Sequence, residues 1–220
     1  MAVNLQMLNR HERDGVAEYL MQIDDASVET LVTHCPIKVE EWIRVTYDRN
    51  LPRLHRLIVA VDVLWPPATT TDDAAAPAQE NPVAILLFLV NTRCLMYQIQ
   101  RSYRIPDDLK DFMACNYTFV AIGVENYMEK LDRDLDLGVV NAMDLREIAA
   151  RELVKPELEH AMLHQLAERF LGKVVDAVKL VEVRMSDWDS VRLSDEQVLY
   201  ASLHAYYSFC IARMLHSWYD

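Results

Sequence analysis

Apolar and polar residues alternate in two early stretches, "VAEYLMQI" (16–23) and "SVETLVTH" (27–34), both rich in β-branched and aromatic side chains. The "DDA" between them suits a hairpin, so the chain is expected to open with β structure. "IKVEEWIRVTYDR" then places Val39, Trp42, Ile43 and Tyr47 near helical spacing, and Pro52 blocks its continuation. "LIVAVDVLW" (57–65) is almost wholly apolar, as expected of a strand covered on both faces. "PPATTTDDAAAPAQEN" (66–81) offers little to bury and reads as a flexible loop. Strands are expected again in "PVAILLFLV", "RCLMYQI" and "YTFVAIG", with a helix in "PDDLKDFMAC" started by Pro106. From there helices take over. "ENYMEKLDRDL", "DLREIAAREL" and "LEHAMLHQLAERFLG" carry apolar residues every three or four positions, the last stopped by Gly172. The final helix, "SDEQVLYASLHAYYSFCIARMLHSWY", begins with Ser194 and Gln197 in a capping-box arrangement. This order reads as one α/β domain over residues 17–220, preceded by an N-terminal extension, residues 1–16.

Asp62 interrupts that pattern, because it stands in the middle of the apolar run "VAVDVLW". Desolvating a carboxylate costs several kcal/mol unless something pairs with it. Asp62 is therefore either a strand-end acid bonded to backbone N–H groups or one member of a site. A chain of 220 residues, 52% hydrophobic with four glycines, is long enough for one well-buried core. No window of 18 uninterrupted apolar residues exists, so no membrane span is expected. The charged first 30 residues lack a secretory h-region, which points to the cytoplasm or nucleus. Cys35, Cys94, Cys115 and Cys210 are scattered, with no C-x-x-C spacing, and read as idle thiols. A net charge of −12 disfavours a protein that grips phosphate backbones. Arg44, Arg49, Arg53 and Arg56 form the densest basic stretch, either a local nucleic-acid footprint or a solvated helix end. His160 and His164 have the i,i+4 spacing of a zinc pair without the accompanying Glu, so helix packing is the competing reading. There is no nucleophile elbow and no phosphate-cradling glycine loop. Tyr207, Trp218 and Tyr219 on the last helix suit either core packing or a partner surface.

Five blocks in order, "VAVDVLW", "NPVAILLFLVNTRCLMYQI", "FVAIGVENYMEKL", "SDW" and "LSDEQVLYASLHAYYSF", give the chain a wider likeness. It resembles the Werner-syndrome-like exonucleases of plants, within the ribonuclease D-type DEDDy 3′-to-5′ exonuclease superfamily, over roughly residues 17–217. The resemblance implies a ribonuclease H-like α/β fold, a mixed central β-sheet flanked by α-helices. It also implies two divalent metals held by four carboxylates, with a tyrosine that positions the attacking water. Two Mg²⁺ ions about 4 Å apart need hard oxygen ligands from several acids. This sequence departs from that pattern. The first motif, D-x-E, aligns with Asp62 and Leu64; strand alternation puts both on one face. Tyr127 stands where the second motif has its aspartate. In the third motif, Y-x-x-x-D, Tyr200 is kept but His204 replaces the final acid, and imidazole is not a magnesium ligand of choice. Glu125, Glu129 or Asp187 are the neighbours that would have to compensate. Without such compensation, Tyr127 and His204 are expected to hydrogen-bond Asp62 directly, with no metal or other cofactor.

The expectation is therefore a pseudo-nuclease with Asp62 and Tyr200 as vestigial site residues. It would act through a protein partner or as a homo-oligomer, without a membrane. The competing reading keeps weak nucleic-acid binding, or a residual exonuclease using Mg²⁺ or Mn²⁺.

Overall fold

The computed structural model describes residues 1–13, 15–68 and 81–216. Eight strands form one sheet: β1 (Leu5–Arg13), β2 (Val16–Ile23), β3 (Ala26–Thr33), β4 (Ile58–Leu64), β5 (Ile85–Val90), β6 (Arg93–Tyr97), β7 (Thr118–Ala121) and β8 (Ala142–Asp144). Their spatial order is β1-β2-β3-β6-β5-β4-β7-β8. β2 is antiparallel to both β1 and β3, and β3 then joins β6 in parallel. β6, β5 and β4 are antiparallel, while β7 and β8 continue from β4 in parallel. The mixed sheet flanked by helices is the architecture the sequence implied.

Strand alternation divides the core. Val59, Val61 and Val63 face α1 (Pro36–Asn50), α2 (Asp107–Ala114) and α3 (Val124–Leu135). Ala60 and Leu64 face the other layer, made by α4 (Leu145–Leu153), α5 (Leu163–Leu166), α6 (Ala177–Arg184) and α7 (Asp195–His216). β4 is apolar on both sides because both sides are covered. Asp62 belongs to the α7 layer, since it is two residues from each of Ala60 and Leu64.

The sheet extends further toward the N-terminus than the sequence pattern suggested. Residues 5–13, set apart above within an extension, form β1 and pair along β2. Their alternation is weak because most of β1 is solvent-exposed, so no buried face imposed a period. The β2–β3 hairpin turns at Asp24, whose positive φ of 54° is accommodated by its short side chain. Asp24 also accepts a hydrogen bond from Tyr207 at 2.7 Å. Tyr207 is consequently core, only 1% exposed, and not a partner surface. Trp218 and Tyr219 lie outside the described residues, as does 69–80 within the expected loop 66–81.

One expected helix is broken. Instead of running through 158–172, the chain makes a 3₁₀ turn (Pro156–His160), extends at Ala161 and Met162, and restarts as α5, which widens into a π-turn through Leu171. The Met162 N–H is satisfied by Gln165 Oε1 at 2.8 Å, which stabilises the restart. Gly172 then closes the segment at φ 64°, as expected of a glycine stop. Two elements had no sequence signal strong enough to be expected, β8 and α6, with three and eight residues. At the start of α7, Ser194 and Gln197 form the anticipated reciprocal cap, at 2.8 and 3.1 Å.

Candidate functional site

β4 delivers Asp62 and Leu64 to one wall of a cavity of about 440 Å³, and α7 supplies Tyr200 and His204 one turn apart on another. Tyr127 reaches the same cavity from α3. The five positions singled out in the sequence thus converge, although Asp62 and His204 lie 142 positions apart in the chain.

Asp62 is 1% exposed, and its partner is a residue the sequence reading missed. Arg184, at the end of α6, donates through Nη1 to both oxygens of Asp62, at 3.0 and 3.2 Å. Its Nη2 donates to the Val63 carbonyl at 3.2 Å and to the Tyr127 hydroxyl at 3.0 Å. The Val63 N–H gives Asp62 Oδ1 a further bond at 2.9 Å, and His204 Nδ1 lies 3.3 Å from Oδ2. The pairing expected of Tyr127 and His204 with Asp62 is thus joined by a guanidinium, with the Tyr127 hydroxyl bonded to both Asp62 and Arg184. Arg184 sits under Trp65 and Tyr127, with 5.8 and 5.5 Å from its carbon to the two ring centres. Its backbone is pinned too: the Arg184 carbonyl accepts from Trp188 Nε1 at 3.0 Å, and Gln197 holds the following turn through Ser186 and Asp187. Its charge beside the apolar residues of "LVEVRM", which also holds Glu182, was the available signal for it.

The electrostatics follow from this packing. Burial pushes the Asp62 carboxyl up, but Arg184, helped by His204 and Tyr127, overrides it and holds the group below the usual carboxylate range. Burial, assisted by Arg184, depresses the His204 imidazole against the opposing pull of Asp62. Burial and the charge of Asp62 raise the Tyr127 phenol. At neutral pH the cluster is one anion, one cation and two neutral groups, with zero net charge.

Other acids do not enrich the site. Glu125 and Glu129 are exposed on α3, and Asp187 caps its own turn by accepting from Asp189 N and Ser190 Oγ at 3.0 and 2.9 Å. None of the three lines the cavity. Asp144, also buried, accepts from the N–H groups of Gly123 and Val124 and from Arg146, and so anchors the start of α3. His160 and His164 both line the cavity, but the helix break between them removes the i,i+4 geometry of a zinc pair. Among the described residues no group of three or more His, Cys, Asp or Glu is placed to hold a metal ion. A pair of magnesium ions needs several free carboxylate oxygens. The donor set here, one aspartate already bridged by guanidinium, does not fit that requirement.

A model of the 3′-5′ exonuclease family matches residues 91–217. The chain belongs to this family. It is 28% identical over 160 residues to the bifunctional 3′-5′ exonuclease/ATP-dependent helicase WRN of Mus musculus, covering 72% of this chain and 11% of that protein. The human exonuclease 3′-5′ domain-containing protein 2 is 33% identical over 113 residues, covering 51% of this chain and 18% of that protein. The chain thus spans a minor part of the length of both relatives. Its fold is shared with Escherichia coli RNase D, TM-score 0.66 at 12% identity, covering 84% of this chain and 44% of that one. The catalytic core of Trypanosoma brucei RRP6 superimposes with a TM-score of 0.62 at 16% identity, covering 84% and 46%. These likenesses place the chain in the DEDDy exonuclease superfamily with a ribonuclease H-like fold.

A pH dependence follows from His204. Its folded-state value lies below its unfolded one, so the unfolded chain binds the proton more readily and stability rises with pH. That contribution is complete above the unfolded value of about 6.5 and is lost as pH falls through the depressed one. The melting temperature is expected to fall between pH 7.5 and 5, and His204→Gln to flatten this part of the curve. Asp62, also depressed, loses its contribution at lower pH, below about 4.

Proposed function

We propose that this exonuclease-family domain is catalytically degenerate and acts as a regulatory or adaptor module, through binding a protein partner or through self-association. The observation that carries the proposal is the bond from Arg184 to both oxygens of Asp62, at 3.0 and 3.2 Å. Two-metal hydrolysis relies on divalent ions to make the nucleophile and stabilise the leaving oxygen. A guanidinium carries one charge and has no vacant coordination position, so it cannot bind and activate a water as a Lewis acid does. Leu64, Tyr127 and His204 supply no further carboxylate. Tyr200 lines the cavity with nothing to position water against.

The basic stretch also favours a protein role over a nucleic-acid one. Arg44 faces Asp48 at 3.8 Å, and Arg49 faces Glu29 at 3.4 Å, so at least two of these arginines are already opposed by acids.

The test is incubation of the chain with labelled single-stranded and 3′-recessed DNA and RNA in Mg²⁺ or Mn²⁺, with released nucleotides counted. No metal-dependent release is expected. Release by the unmodified chain that disappears in Asp62→Ala would overturn the proposal and restore a residual exonuclease.

A further inference from the structure

On the α1 side of the sheet, opposite the layer that holds Asp62, the last turn of α1 and the β5–β6 turn enclose a notch of about 210 Å³. Its polar lining consists of two guanidinium groups (Arg49, Arg93), two carboxamides (Asn50, Asn91) and two hydroxyls (Thr46, Thr92). Among the described residues no carboxylate lines it, in a chain that carries −12 overall.

Arg93 is firmly placed but not fully bonded. Its side chain is 16% exposed, and its guanidinium carbon lies 5.4 Å from the centre of the Trp42 ring. Nη1 donates to Thr46 Oγ1 at 2.9 Å and more weakly to the Trp42 carbonyl at 3.5 Å. Nε is 3.9 Å from Glu29 Oε2, beyond hydrogen-bond reach, and among the described residues Nη2 has no acceptor. Glu29 is shared with Arg49, which it faces at 3.4 Å, and its own side chain is 58% exposed. One acid shared between two arginines leaves one positive charge in excess. Burial, reinforced by the charge of Arg49, depresses the Arg93 guanidinium against the pull of Glu29.

The carbonyl dipoles at the end of α1 oppose an anion here, but two of those carbonyls are already covered. Thr46 Oγ1 donates to the Trp42 carbonyl and Asn50 Nδ2 to the Thr46 carbonyl, both at 2.8 Å. A full charge in excess outweighs the roughly half charge of a helix end.

We propose that this notch binds a phosphate group between Arg49 and Arg93, either as the free ion or as the end group of a phosphorylated ligand. Guanidinium groups present paired donors that match phosphate oxygens, and a dianion supplies the missing counter-charge. A terminal phosphate enters such a notch end-on, whereas a phosphodiester needs room for both of its flanking sugars. The site stands apart from the Asp62 cluster and holds whether or not that cluster is catalytic.

Phenyl phosphate and inorganic phosphate, each titrated into the isotope-labelled full chain at low ionic strength and followed by amide NMR, test it. Saturable shifts should be confined to residues 46–50 and 90–93. Arg49→Gln, at an exposed side chain, should lower the affinity for either probe about tenfold. Glu29→Gln should raise it several-fold by removing the competing anion, a gain that damage to the fold cannot produce. Arg53→Gln, exposed and outside the notch, should change it little. Added salt should weaken binding. An ester that binds several-fold tighter than inorganic phosphate assigns the site to a phosphorylated ligand; otherwise the free ion is its occupant. No saturable shift with either probe, shifts centred on the Asp62 cavity, unchanged affinity in Arg49→Gln or weaker binding in Glu29→Gln would overturn the proposal.

Discussion

Asp62→Asn is expected to destabilise the chain by about 3 kcal/mol, the lower end of what stranding a buried charge costs. The substitution keeps the shape of the side chain but leaves Arg184 without its anion. The lower end applies because the Arg184 side chain retains 34% exposure and can turn partly to solvent. For a chain of this size the shift corresponds to a melting temperature lower by about 6–12 °C. Asp62→Leu combined with Arg184→Met should recover most of the loss, since replacing both partners by apolar groups removes the unpaired charge. The sign is the informative part. In a cluster of carboxylates built for metal, removing one acid in the absence of the ion relieves repulsion and raises stability. Thermal melts in chelator distinguish the two cases, and a melting temperature raised by Asp62→Asn would show that Arg184 is not its counter-ion.

The second large effect concerns rebuilding the metal site. Leu64→Glu, Tyr127→Asp and His204→Asp together place carboxylates at the three positions where the family likeness implies acids, all of which line the cavity with Asp62. These three substitutions alone are expected to give little response to Mn²⁺, because Arg184 still neutralises Asp62 and occupies the space between the acids. Adding Arg184→Ala should expose the cluster. In chelator the fourfold variant should melt well below the threefold one, through unscreened repulsion among four acids. With Mn²⁺ at a hundred times its dissociation constant, binding should return about 2.7 kcal/mol to the fourfold variant. Equal Mn²⁺ responses from both variants would remove Arg184 from its proposed place as the resident cation.

Local pattern was enough for some elements and not for others. β4 and β5 were legible because continuous apolar runs of that length are required where both faces of a strand are covered. The cap at Ser194 was legible because it is completed within four residues. β1 was not, since an exposed edge strand has no buried face to impose alternation. The expected helix over 158–172 failed for a different reason: its spacing is helical on both sides of Met162, and the interruption depends on Gln165 capping a new start.

The candidate site divides in the same way. Asp62 announced itself through the cost of a charge in an apolar strand, and its alternation with Leu64 placed both on one face before any tertiary contact was known. Convergence of Tyr127, Tyr200 and His204 on that face was implied by family likeness, not by spacing. Arg184 lay beyond both sources, because it is separated from Asp62 by 122 residues and sits on an eight-residue helix with little sequence signal. A buried carboxylate demands some counter-charge, and that demand can be read from residue order. Which cation answers it is a matter of the approach of α6 to β4, a long-range packing event that no local periodicity encodes.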